Sequence, residues 1–247
     1  MVVERVSVDV PRWLNVILDL NGVLCSCVQK NTVTRRTSQQ KPFYAEGFVH
    51  SATVPTCVGP KAIYVRPGVA AFVRRVSEFA DITIWSSMMQ STAVEVVDYL
   101  FHRNVKPVAI YGQESCDTIQ VNNGEELKYP KSDKSIFLKT MRSHLFLGET
   151  SRYKENNTIL IDDSPEKSIL NNTGNAVFLK SWKHTVRNCS SDNYLWEEVA
   201  PWLERLHTEG RGEVPQFVNR NRLGVNHLVP GDTLYELVMN GLKNNTV

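Results

Sequence analysis

No uninterrupted apolar run in this sequence comes near the roughly 20 residues that cross a bilayer as a helix, so no membrane span is expected. Charge of one sign is equally scarce. Lys and Arg number 28 against 26 Asp and Glu, and the formal net charge of +2 is too small to mark a direct nucleic-acid partner or a membrane surface. The short Arg35-Arg36 pair reads as a solvated loop. Paired cysteine motifs are missing: five cysteines, at 25, 27, 57, 116 and 189, include no CxxC, which argues against a zinc ribbon or a thioredoxin-like site. An odd, scattered set of thiols points to a reducing compartment. The six histidines show no metal-ligand spacing. The amino terminus lacks an apolar signal core and carries Glu4 and Asp9, which a mitochondrial presequence avoids. Nucleus or cytoplasm is therefore the expected location, in preference to the mitochondrion. Internal repeats and low-complexity tracts are absent.

What remains is ordinary globular composition, 42% hydrophobic and 22% charged, over 247 residues, enough for one large domain with a substantial core. The most informative stretch is VILDLNGVL, residues 16 to 24, an apolar run that delivers Asp19 to the end of a buried strand. Residues 25 to 60 are polar, with β-like pieces at Phe43–Tyr44 and Phe48–Val49, and read as a small β-rich insertion over the strand ends. Arg66-Pro67-Gly68 opens a helix with Val69, Phe72, Val73, Val76 and Phe79 at helical spacing. A strand follows at 82–85, then a helix through Val94, Val97 and Phe101, and a strand at 108–111. Residues 112 to 133 read as a loop with some strand content. Phe137, Met141 and Leu145 predict a further helix, 158–161 a strand, and 175–179 a last strand. Leu195, Val199, Trp202, Leu203 and Leu206 outline a helix that Pro201 kinks or restarts, and a short helix starts at Thr233. Strands alternating with helices predict an α/β fold, a doubly wound parallel sheet of Rossmann-like type. The expected organisation is a lead over 1–13, a domain over 14–218 and an extension over 219–247.

Three of these strands end in polar groups: Asp19, Ser86 and the pair Asp162-Asp163. In a parallel sheet their carboxyl ends share one edge, where open α/β sheets bind ligands. Carboxylates brought together there need a cation between them, and hard oxygen ligands suit Mg2+. A lysine on the intervening helix, Lys139 or Lys134, would add positive charge. A carboxylate nucleophile, a hydroxyl, a lysine and a magnesium site are what phosphoryl transfer requires. Trp85 and Trp182 read as core or rim aromatics.

In these elements the sequence resembles the haloacid dehalogenase superfamily, in the branch of carboxy-terminal-domain phosphatases and NLI-interacting-factor-like proteins. The family's DxDx(T/V)(L/V) motif aligns with Asp19-Leu20-Asn21-Gly22-Val23-Leu24, its RPG helix start with Arg66-Pro67-Gly68, and its strand ending in Ser or Thr with ITIWSS. The Gln113 to Cys116 loop, Phe137-Leu138-Lys139 and LIDDSP at 160 to 165 follow in order. Lys134 and Lys131 compete with Lys139 for the lysine motif. The resemblance implies Asp19 as nucleophile and magnesium ligand, with position 21 giving a backbone carbonyl to the metal. It implies Ser86 on a phosphoryl oxygen, Lys139 neutralising charge beside Asp19, and Asp162 and Asp163 holding the metal and orienting the lysine. The implied substrate is a phosphoserine or phosphothreonine protein, with the RNA polymerase II tail among the candidates.

Asn21 departs from the family pattern. Its carbonyl can still bind metal, but its amide cannot give a proton to a leaving alkoxide or take one from water. General acid–base help is worth ~10²–10⁴-fold, so a weakened phosphatase is one expectation. A second is a catalytically silent domain that binds a protein partner, as the mitochondrial inner-membrane import receptor uses this fold. A third is a small-molecule phosphohydrolase whose substrate has a good leaving group.

Overall fold

The computed structural model describes residues 12–29, 55–58, 61–101, 105–121, 124–147, 150–185 and 189–244. Phe43, Tyr44, Phe48 and Val49 of the expected insertion, and Arg35 and Arg36, lie outside the described residues.

Apolar, β-rich segments form β1 (Leu14–Leu18), then β2 (Cys25–Gln29), β3 (Thr56–Val58) and β4 (Lys61–Val65). After α1 (Val69–Ser77) come β5 (Ala80–Trp85), α2 (Gln90–Phe101) and β6 (Ala109–Tyr111). Short strands β7 (Asp117–Thr118), β8 (Gln120–Val121), β9 (Glu125–Glu126) and β10 (Phe137–Leu138) precede α3 (Met141–His144). The chain then runs through β11 (Thr158–Asp162), β12 (Ala176–Phe178), α4 (Ala200–Glu209), α5 (Val214–Arg220) and α6 (Thr233–Asn244).

The central sheet has five strands in the order β12-β11-β1-β5-β6, and every pairing is parallel. All five residues of β1 are buried, as a central strand covered on both faces requires. Its alternation sorts the core: Leu14, Val16 and Leu18 pack with residues of α1, α2 and α4, while Ile17 packs on the other face with Trp85, Met141, Leu145 and Phe178. This is the doubly wound α/β fold that the sequence pattern predicts. Trp85 and Trp182 are both buried.

The segment after β1 builds a three-stranded antiparallel sheet, β2-β4-β3, which runs on to Val65. Arg66 straps it down, donating to the Val23 carbonyl at 3.1 Å and clamping the Asp192 carboxylate at 2.9 and 3.2 Å. Gly68, at φ 77°, then starts α1.

Two local expectations change. Residues 137 to 145 are not one helix: β10 pairs antiparallel with β7, and α3 is a single turn. Ile136 and Leu138 are buried while Phe137 is half-buried, a period of two that the i, i+4, i+8 spacing of Phe137, Met141 and Leu145 disguised. Near Pro201 the chain makes a π-helical turn over Leu195–Val199 and re-enters as α4 with Pro201 in its first turn, so the missing proline N–H costs no α-helical bond. The extension also has a place. Val225 donates to the Phe178 carbonyl, and α6 lays Val238 on Ile119, Ile136 and Leu138.

Candidate active site

The register of the sheet creates the site. Leu18 lies opposite both Ile161 and Ile84, and the Asp19 N–H donates to the Ile161 carbonyl at 2.9 Å. One residue further on, Asp19 and Asp162 emerge side by side at the carboxyl edge, both buried. One oxygen from each of Asp19, Asp162 and Asp163 falls within 4.8 Å of the others.

Lys139 enters from a loop, not from a helix, directly after the two-residue strand β10. Its backbone N–H donates to the Lys167 carbonyl at 2.7 Å, and the Asn171 amide holds the Lys139 carbonyl at 2.6 Å. Its fully buried Nζ stands 2.5 Å from Asp162 Oδ2 and 3.0 Å from Asp19 Oδ1. Burial alone would strip that proton, but the facing carboxylates of Asp162 and Asp19 reverse the effect and hold the ammonium charged. Lys134 is exposed, with its Nζ 5.9 Å from the centre of the Tyr129 ring, and Lys131 occupies a turn at φ 60°. Of the three lysines considered from sequence, Lys139 is the one that meets the carboxylates.

Asp162 and Asp163 are neighbours in opposite environments. Burial would raise the Asp162 pKa, but Lys139, Lys167 and hydrogen bonding outweigh it and hold the carboxyl below the usual range. Its Oδ1 accepts the N–H groups of Asp163 and Ser164 at 2.8 and 3.0 Å, so both of its oxygens are engaged. Asp163 instead is pushed up to about 6, first by burial and then by the charges of Asp162 and Asp19. The hydroxyls of Ser164 and Ser181 bond to it. Gly22 makes room: a Cβ there would lie 1.9 Å from Asp163 Oδ2, and its φ of 91° favours glycine independently.

Ser86 is buried at the end of β5 on the same edge, its Oγ accepting the Met88 N–H at 3.3 Å. Asn21 is exposed in the turn between β1 and β2, and its Oδ1 accepts the Cys27 N–H at 2.8 Å. That bond makes the amide a turn fastener.

A residue the sequence reading missed is Lys167. Its Nζ lies 3.8 Å from Asp19 Oδ2 and 3.7 Å from Asp162 Oδ1. The signal was a lysine five places after a strand-ending Asp with Pro165 between them, since a 3₁₀ turn over Pro165–Ser168 folds that position back over the strand end. Ser181 also lines a cavity of about 380 Å³ bounded by Arg66, Lys180, Trp182, Lys183 and Tyr194.

The donor set fits a hard divalent cation. It consists of carboxylate oxygens, with Asp163 held open by Gly22, and the buried Asp19 Oδ1 has no aligned hydrogen bond among the described residues. An aspartate flanked by two further carboxylates and two lysines at a parallel sheet's carboxyl edge stands where open α/β folds bind their ligands.

Comparison with known proteins bears on this site. The sequence profile of the NLI interacting factor-like phosphatases matches residues 14–213, most of the chain, and the chain belongs to that family, within the haloacid dehalogenase superfamily. Among solved structures it is similar to Fcp1, described as an essential RNA polymerase II CTD phosphatase, at 18% identity and a TM-score of 0.43. The match covers 93% of this chain and 61% of that one. It is also similar to fission yeast Fcp1-R271A bound to beryllium fluoride, at 15% identity and a TM-score of 0.42, covering 92% and 62% of the two chains. The chain thus spans about three-fifths of the length of these structures. No curated protein sequence matches it.

Proposed function

We propose that this chain is a Mg2+-dependent phosphatase domain that acts through a phosphorylated Asp19 on phosphoserine or phosphothreonine proteins, slowly because of Asn21. The observation that carries the reading is the Asp19 carboxylate itself, fixed at the sheet edge with Lys139 and Lys167 on one side and Asp163 on the other. Asp19 and Asp163, with the backbone carbonyl of Asn21, would hold the ion. Asp162, whose oxygens are engaged, positions Lys139. Mg2+, when bound, supplies charge neutralisation to Asp19 and to the phosphoryl oxygens.

Asp19 attacks phosphorus, the bond to the ester oxygen breaks, and the leaving alkoxide takes a proton from solvent, since Asn21 has none to give. Ser86 holds a phosphoryl oxygen, and Lys139 neutralises charge beside Asp19. Water then cleaves phosphorylated Asp19, again without a base at position 21. Loss of acid–base assistance lowers the rate by ~10²–10⁴-fold, and least for an aryl ester, whose leaving group needs no proton. The exposed Lys180 and Lys183 at the neighbouring cavity support a phosphorylated protein as substrate, and the RNA polymerase II tail named for Fcp1 is the first to try.

A second reading rests on the Asn21 amide. Tied to the Cys27 N–H, it suits a catalytically inactive domain that binds a protein partner. Hydrolysis of an aryl phosphate with and without Mg2+ separates the two, run on the natural chain, Asn21→Asp and Asp19→Asn. Mg2+-dependent turnover by the natural chain, abolished in Asp19→Asn, supports the enzyme. Turnover by Asn21→Asp alone supports the silent binding domain, and silence in all three overturns the phosphatase reading.

A further inference from the structure

The two buried lysines of the site are occupied differently. Lys139 is committed to Asp19 Oδ1 and Asp162 Oδ2. Lys167 faces the other oxygen of each carboxylate at 3.8 and 3.7 Å, both too long for hydrogen bonds. Asp162 Oδ1 is moreover already taken by two backbone N–H groups. The side chain is only 7% exposed, yet its ammonium has no hydrogen-bond acceptor among the described residues. An ammonium on so nearly buried a side chain is costly unless water or a ligand accepts its protons. The backbone keeps it there: Pro165 opens its turn, its N–H donates to the Ser164 carbonyl at 3.1 Å, and its carbonyl receives the Lys139 N–H. Next to it, Glu166 is anchored by the Tyr129 hydroxyl at 2.7 Å.

We propose that Lys167 is a phosphoryl-binding residue, whose free N–H groups donate to a non-bridging oxygen of a tetrahedral phosphate group seated at Asp19. This rests on the phosphoryl-transfer reading above and adds a second lysine to it. A phosphomonoester brings up to two negative charges to a site where Lys139 is already neutralised by its carboxylate partners. Lys167 is the buried cation with donors to spare, and it reaches the Asp19 oxygen that Lys139 does not.

The test is calorimetric titration of inorganic phosphate into the full chain, with Mg2+ present. The natural protein is compared with Lys167→Met, Lys167→Arg and Lys134→Met, each checked for an unchanged circular dichroism spectrum. The expected result is at least tenfold weaker phosphate binding in Lys167→Met, partial recovery in Lys167→Arg, and less than a threefold change in Lys134→Met. Equal affinity in the natural chain and Lys167→Met overturns the proposal, as does an equal loss in Lys134→Met, which would mark a general charge effect. So does a natural chain that binds no phosphate. Should Lys167→Met fail to fold, nitrogen-15 spectra of the natural chain decide: the Lys167 ammonium signal, assigned from Lys167→Arg, shifts on adding phosphate, and its failure to shift overturns the assignment. Phosphate binding that depends on Lys167 without aryl phosphate turnover would sink the phosphatase reading and leave this one standing.

Discussion

The site has a lysine side and a glycine side, and two consecutive aspartates divide them. On the lysine side, Asp162 faces Lys139 and Lys167 and accepts two backbone N–H groups, so its negative charge is neutralised within the fold. On the glycine side, Asp163 sits against Gly22 with two hydroxyls for company and the charges of Asp162 and Asp19 nearby, and its pKa rises to about 6. One half of the site is self-sufficient and the other carries a surplus of negative charge. The difference teaches how charge is divided: the glycine side holds a carboxylate without a facing ammonium, while the lysine side holds both ammonium groups.

The largest effect should come from breaking the self-sufficient half. Lys139→Met leaves two buried carboxylates without their closest cation, and stripping one member from a buried ion pair costs about 3–5 kcal/mol. Urea unfolding of the variant measures this. The double variant with Asp162→Asn should be less destabilised than the sum of the two single changes, because the second substitution removes the charge that the first left stranded. Additive losses would mean the pair is not coupled as the geometry indicates.

Much of this arrangement was legible beforehand, and the reasons are physical. Asp19, Ser86, Asp162 and Asp163 follow strands whose apolar runs are unmistakable, and parallel pairing fixes which ends share an edge. Lys139 lies beside Asp19 and Asp162 but had been placed on a helix, because three apolar residues at four-residue spacing fit a helix as well as a strand followed by a single turn. Lys167 was not legible, since its place depends on a 3₁₀ turn that packs Glu166 against Tyr129, a contact between residues 37 apart. The strand Lys61–Val65 went unread because its pairing with Cys25–Gln29 joins residues far apart in sequence, Cys25 lying opposite Val65.

The glycine side can be tested by pH. An acid whose folded pKa lies near 6 and whose unfolded value is 3.8 keeps its proton in the fold after the unfolded chain has lost it. The folded state then binds more protons across that window, so stability falls as pH rises from about 4 to about 6. At about 1.4 kcal/mol per unit, the metal-free protein should lose up to about 3 kcal/mol from this group. Denaturation in urea at several pH values, comparing the natural chain with Asp163→Asn, isolates the contribution: the variant should lack that part of the slope.

Gly22→Ala is a smaller perturbation of the same side. An alanine at φ 91° costs about 1–2 kcal/mol, and its methyl group must displace the Asp163 carboxylate. The natural chain should gain thermal stability on adding Mg2+, and Gly22→Ala should lose most of that gain while still folding. An undiminished shift would show that the cation does not use Asp163.

The smallest effect belongs to Asn21, the exposed turn residue that directly precedes Gly22. Its Oδ1 fastens the turn through the exposed Cys27 N–H. Removing that acceptor in Asn21→Ala should cost about 0.5–1 kcal/mol, the modest net worth of such a bond. Asn21→Asp keeps an oxygen able to accept the same N–H, so its unfolding midpoint in urea should match that of the natural chain. The two variants therefore separate fold from chemistry. If Asn21→Asp speeds aryl phosphate hydrolysis at unchanged stability, the gain reports proton transfer alone. A matching rise in stability would instead mean that the asparagine strains the turn.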